Sequence, residues 1–294
     1  MKRSAHTWRG VDSLRDKEGV YSFGGRRYLS VTNALGLLSD MSWPISRYAA
    51  QEVAAMAVLA ANGEAYTVPG TEESVSPLGF LTDESWVANA GHRKMMRAAE
   101  RGTVVSALAQ EWACGLDIDE SQIGDWMQEY CIRHELRPEE GTESYLRTML
   151  RFLDESGIGV IATEVPVFSD SREYAGRLDL IATLPGYGRY ANVVDIKTGD
   201  SFRRSWVAQL AAYAESDFYI HGDDEFHVQQ ETPTGLGGIV VQVLPDRYIV
   251  RDCSDLMPQY MDGLFLPCLS AALAHKNLPL PLKGKHYKEA VHVA

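Results

Sequence analysis

Two carboxylates and a lysine lie on stretches patterned as strands. Asp179 sits inside the apolar run EYAGRLDLIATL. Sixteen residues on, Asp195 and Lys197 close a second run, YANVVDIKT. Side chains alternate along a strand, so Asp195 and Lys197 share one face, while Val194 and Ile196 point into a packed layer. In the preceding run Leu178 and Leu180 are expected on one face and Asp179 on the other. If the two strands pair, both acids and the lysine converge on one patch. Carboxylates that close repel and raise each other's pKa. Mg²⁺ or Mn²⁺ removes the repulsion, because hard cations take oxygen ligands. The Ile196 carbonyl is a candidate further ligand. Such an ion polarises a phosphoryl oxygen, helps ionise a water and stabilises a leaving oxygen. Lys197 would hold the attacking water or offset charge on phosphorus. The chemistry expected is metal-dependent phosphodiester cleavage.

Asp-x-Lys alone is a common pattern on a solvated sheet face. It gains weight from its neighbours. Gln209 follows Lys197 by twelve residues and Tyr213 lies four further on, in a helical pattern. Upstream stands Glu164-Val165-Pro166; Glu164 is a further candidate site residue, either lining the metal patch or occupying the polar face of its strand. Arg203 and Arg204 precede the helix and are candidate phosphate contacts. The basic stretch HRKMMRAAER, 92–101, reads first as a solvated helix face.

As a set, these residues resemble the PD-(D/E)xK nuclease superfamily, in its RecB-like exonuclease branch of bacteriophage and CRISPR-associated members. The matching motifs cover roughly residues 160–215. They are the GxxD motif Gly176-Arg177-Leu178-Asp179, the DxK motif Asp195-Ile196-Lys197, Gln209-x3-Tyr213 and the EVP motif at Glu164. The resemblance implies that Asp179 and Asp195 bind metal and that Lys197 assists catalysis. Gln209 and Tyr213 would contact substrate or support the site. A weaker echo is Arg101-Gly102-Thr103, where family members carry a histidine ligand three residues on; here that position is Ser106. One tightly held ion is therefore expected before substrate arrives. The implied fold is α/β, a restriction-endonuclease-like core with a central mixed sheet flanked by helices. The implied activity is a metal-dependent DNA exonuclease of phage recombination or replication. DNA is the expected substrate, and a recombinase, a single-strand annealing protein or a helicase the expected protein partner. Two alternatives stay open: a structure-specific or restriction-type endonuclease on the same core, and an inactive nuclease fold that binds DNA or protein.

Composition bounds these readings. The 294 residues are 45% hydrophobic, enough for a sizeable core. The net charge of −12 gives no global attraction to nucleic acid, so a local basic track is required. Cys114, Cys131, Cys253 and Cys268 lack CxxC spacing, which argues against a zinc ribbon and leaves an iron–sulfur cluster only through long-range assembly, with plain buried thiols the first expectation. No apolar run approaches a membrane span, and the start has no signal-type apolar region. A cytoplasmic protein is expected, in the host cytoplasm if phage-encoded. No GxxxxGK[ST] loop is present, so any unwinding would come from a partner.

The elements that must position the site follow from periodicity. Residues 20–31 read as a hairpin about Gly24-Gly25, with Ser30 or Thr32 capping a helix. Trp43-Pro44 opens a helix to about residue 61, and 62–82 reads as a loop. Helices are expected over 83–100, 102–114, 119–135 and 142–156, with Gly102, Gly115 and Gly157 as breaks. From Gly159 the period changes to two, giving three strands of a meander, a helix over 204–216, a hairpin about Pro245-Asp246 and a last helix over 255–274. The expected division is a mainly helical region, 1–157, packing on a nuclease core, 158–275, with a loosely held tail, 276–294.

Overall fold

The computed structural model describes residues 6–7, 20–36, 42–67, 74–83, 89–187, 191–221, 224–226 and 235–277. The chain opens with strand β1 (His6–Thr7), the hairpin β2 (Val20–Phe23) and β3 (Arg26–Ser30), and helices α1 (Val31–Gly36) and α2 (Ser42–Asn62). Ser30 Oγ accepts the Asn33 amide at 2.9 Å and so caps α1 as expected. Between residues 62 and 82, where a loop was expected, lie strands β4 (Tyr66–Thr67) and β5 (Ser74–Val75), which pair with each other, and helix α3 (Pro77–Leu81). Helices α4 (Ala90–Ala113), α5 (Ile123–Arg133) and α6 (Thr142–Glu155) follow.

Helix α4 corrects the sequence reading, because it runs unbroken through Gly102. That glycine does not end a helix. A Cβ there would meet Thr198 Oγ1 at 3.7 Å, an ordinary contact, so α4 passes beside the chain leaving the Asp-x-Lys strand without requiring the glycine. Gly115 and Gly157 do sit beyond helix ends, at φ +105° and +66°.

The second half is the expected meander, β6 (Gly159–Ser169), β7 (Tyr174–Thr183) and β8 (Asn192–Lys197), then helix α7 (Arg204–Ala214). Strands β9 (Phe218–His221) and β10 (Asp224–Phe226) were not anticipated. The hairpin β11 (Gly237–Val243) and β12 (Tyr248–Asp252) precedes helix α8 (Met257–Tyr260), a π-helical turn over Met261–Phe265, and helix α9 (Leu266–Asn277). Most of the expected tail lies outside the described residues.

The result is mixed α/β. Seven strands run in the order β10-β9-β6-β7-β8-β11-β12, and β1, β2 and β3 complete a ten-stranded mixed sheet. Strand β11 runs parallel beside β8, and the connection between them includes α7, β9 and β10. Helices α1, α7, α8 and α9 cover one face, with Val207, Leu210 and Phe265 against Val165, Leu178 and Val240. Helices α4, α5 and α6 cover the other, with Leu108, Met149 and Phe152 against Leu180, Val194 and Val241. Truncating one of these leucines to alanine would cost about 2–5 kcal/mol. Among the described residues no helix is long and apolar enough to cross a membrane.

Candidate active site

The strands part where the acids stand. Strands β7 and β8 pair antiparallel through Ala182–Asn192, Ile181–Val193 and Leu180–Val194, and the pairing stops there. Beyond it β8 continues along β11 to Gln242–Lys197. The other end of that β7 edge pairs with β3 at Tyr174 and Ala175. Asp179 and Asp195 thus flank the point of a fork. The Asp179 carboxylate does part of the work a paired strand would do: its Oδ2 accepts the Ile196 amide at 2.7 Å.

Strict alternation also fails at this point. Leu178 packs in the α7 layer and Leu180 in the α4–α6 layer, so the two do not share a face as the sequence pattern implied. In the neighbouring strand Ala162 and Val165, three apart, both face the α7 layer. The residue between them that absorbs the change is Glu164, at φ +52°, a conformation rare outside glycine. Its carboxylate pairs with Arg177 Nε at 2.8 Å. Both strands change phase side by side, which frees Glu164 and Asp179 from the packed layers.

Asp195 is 2% exposed. Lys197 Nζ lies 2.8 Å from its Oδ1, which accepts a hydrogen bond, and 2.7 Å from Oδ2. Oδ2 is buried, and its partner is that same ammonium. Burial pushes the Asp195 carboxyl up to about 6; Lys197 opposes this, and Asp179 adds to it. Burial raises Asp179 as well, against the pull of Lys197, the Ile196 amide and Arg177. Two neighbouring carboxyls held above their usual range are costly as mere structure.

All these groups open onto one cleft of about 780 Å³, lined by Glu164, Arg177, Asp179, Asp195, Ile196 and Lys197. Ser106 and Gln110 of α4 face it from one side, and Arg203, Trp206 and Gln209 from the other. Arg177, Lys197 and Arg203 give it basic groups despite the acidic chain. Tyr213 does not line it. Its ring is 2% exposed, packed on Gly176, and its hydroxyl accepts Gln209 Nε2 at 3.0 Å. Tyr213 therefore holds Gln209 rather than touching what enters the cleft. Burial raises its phenol pKa well above the ordinary value.

Arg101 braces the wall. It donates to the Thr198 carbonyl at 3.0 Å, pairs with Glu139 and lies 4.5 Å over the Tyr145 ring. Sequence reasoning used Arg101 only as part of a motif. It missed Gln110, Tyr130 and His134, which also line the cleft. Their helices carry no local signal for the site, since nothing in a helical pattern names the strand it will face. Among the described residues no group of three or more His, Cys, Asp or Glu side chains gathers as a metal site. Side-chain ligation here would come from Asp179 and Asp195.

No family model matches the chain, and no curated protein matches it. Among solved structures, the crystal structure of SSO0001 is similar over 60% of this chain and 86% of that one, at 14% identity and a TM-score of 0.25.

Proposed function

We propose that this protein is a divalent-metal-dependent deoxyribonuclease, acting on DNA ends, with β6, β7, β8, α7 and β11 forming a restriction-endonuclease-like core. The observation that carries this reading is the buried Asp195 carboxylate, ion-paired with Lys197 and standing with Asp179 on one open cleft. Asp179 and Asp195 would hold Mg²⁺ or Mn²⁺, with the Ile196 carbonyl as a third oxygen and water completing the shell. Two carboxylates and a carbonyl are an all-oxygen set, which fits a hard cation. When bound, the ion supplies charge neutralisation at the phosphoryl group and lowers the pKa of water.

The protein's own part is positional. Lys197, already held against Asp195, presents an ammonium to the reacting phosphate and its water. Arg177 and Arg203 on the cleft wall are placed to hold flanking phosphates. Gln209 is fixed by Tyr213 at the wall for substrate contact.

End-labelled linear duplex and covalently closed circular DNA, each with Mg²⁺ or Mn²⁺ and with excess chelator, test this reading. Metal-dependent loss of the linear form alone is the expected result. Loss of both forms would make the enzyme an endonuclease. Loss of neither would leave a binding fold.

A further inference from the structure

Three rings stand in file along one side of α5. Trp126, Tyr130 and His134 are four residues apart, one helical turn each. Trp126 stacks on Tyr130 with centroids 5.3 Å apart and planes 23° apart. Tyr130 stacks on His134 at 4.2 Å and 27°. The far end is anchored, because Trp126 Nε1 donates to Glu111 Oε2 at 2.8 Å. Trp126 and Tyr130 are half-buried against the α4–α6 layer, whereas His134 is exposed. Tyr130 has a ring on each side, and among the described residues the file ends on His134.

An aromatic file at helical spacing is ordinarily packing. Two observations set this one apart. Its terminal ring is outside the core, and Tyr130 and His134 line the same cleft as Asp179, Asp195 and Lys197. Glu164 of the site is near enough to Tyr130 to add, behind burial and Glu111, to the upward shift of its phenol.

We propose that His134 offers its outer face to an unpaired nucleobase, which becomes the fourth ring of the file and leads a single strand into the cleft. This deepens the nuclease reading and rests on it for the class of ligand. A base inside a duplex has both faces covered by its neighbours, so such a platform selects unpaired or frayed strands. Stacking of this kind tolerates any base, because each has a π-face.

The test is binding by the full-length protein in excess chelator, read by fluorescence anisotropy without turnover. The probes are labelled oligo-dT, an abasic oligonucleotide of equal length, and a closed-ended duplex. His134→Ala should weaken oligo-dT binding by about tenfold. It should leave abasic and duplex binding within about twofold, since those depend on phosphates. His134→Phe, which keeps a ring, should bind oligo-dT like the parent. Parental affinity of His134→Ala for oligo-dT would overturn the proposal. So would an equal loss on all three probes, or no measurable oligo-dT binding by the parent. If His134→Ala loses oligo-dT selectively but no metal supports cleavage, the nuclease reading fails and the platform stands. If DNA is cut and binding ignores His134, only the platform fails.

Discussion

Gly176 lies flush against the ring of Tyr213: a Cβ on residue 176 would fall 2.3 Å from Tyr213 Cε1. The requirement is for space rather than for a special backbone angle. It ties the first residue of the GxxD stretch to the residue that holds Gln209.

Gly176→Ala should therefore displace Tyr213 and, through it, Gln209. The expected cost is about 1–3 kcal/mol of stability, with reduced cleavage. Tyr213→Phe keeps the packing and should lose only about 1 kcal/mol with its hydrogen bond. Denaturant unfolding of both variants, of Tyr213→Leu, and of Gly176→Ala with Tyr213→Leu, checks this. The double variant should be more stable than the sum of the single losses implies, because the smaller side chain relieves the clash.

Arg101 spans 97 residues to reach Thr198 and is mostly buried with Glu139. Arg101→Met leaves Glu139 without its cation and should cost about 3 kcal/mol. Adding Glu139→Gln should restore part of that loss. A thermal-melt cycle of the four proteins measures the coupling.

The raised Asp195 carboxyl makes a signed statement about pH. Its ordinary value is 3.8 and its folded value about 6, so between these limits the folded state binds more protons than the unfolded one. The Asp195 contribution to the stability of the metal-free protein should fall as pH rises through that window and then level off. Asp195→Asn removes the effect. In chelator, its stability relative to the parent should rise by up to about 3 kcal/mol from pH 4 to pH 7. Paired unfolding curves at the two pH values test the sign, and an unchanged difference would refute the assignment.

Lys197→Ala leaves both acids in place. Under the nuclease reading it should slow single-turnover cleavage by about 10²-fold or more, with little change in DNA affinity. Asp195→Asn should lose both metal affinity and turnover. Quench-flow cleavage and filter binding on both variants separate the two roles.

Ser106 faces the same cleft as the two aspartates without offering a strong ligand. Calorimetric titration with Mn²⁺ should give one tight site per chain. Ser106→His should tighten Mn²⁺ binding by about tenfold or add a second site. An unchanged isotherm would place residue 106 out of reach of the ion.

Local pattern was enough to mark the three strands of the meander and the parity of Asp195 and Lys197. Alternation in NVVDIK put Asp195 and Lys197 on one face, and the structure pairs them at 2.7–2.8 Å. The hairpins about Gly24-Gly25 and Pro245-Asp246, and the helix after Lys197, were equally legible, because periodicity and turn residues act over a few positions. What tertiary structure decided lies between segments distant in sequence. Leu178 and Leu180 part company because β7 has β6 on one edge and, on the other, first β3 and then the diverging β8. Glu164 takes a left-handed backbone where both strands change phase together. Gly102, which reads as a helix break, lies inside an unbroken α4 beside Thr198. Tyr130 and His134 join the cleft only because α5 packs beside α4 and α6 over that face of the sheet. None of these depends on the neighbours of the residue in the chain. Each is set by which surface another element buries against it, and a one-dimensional pattern does not contain that information.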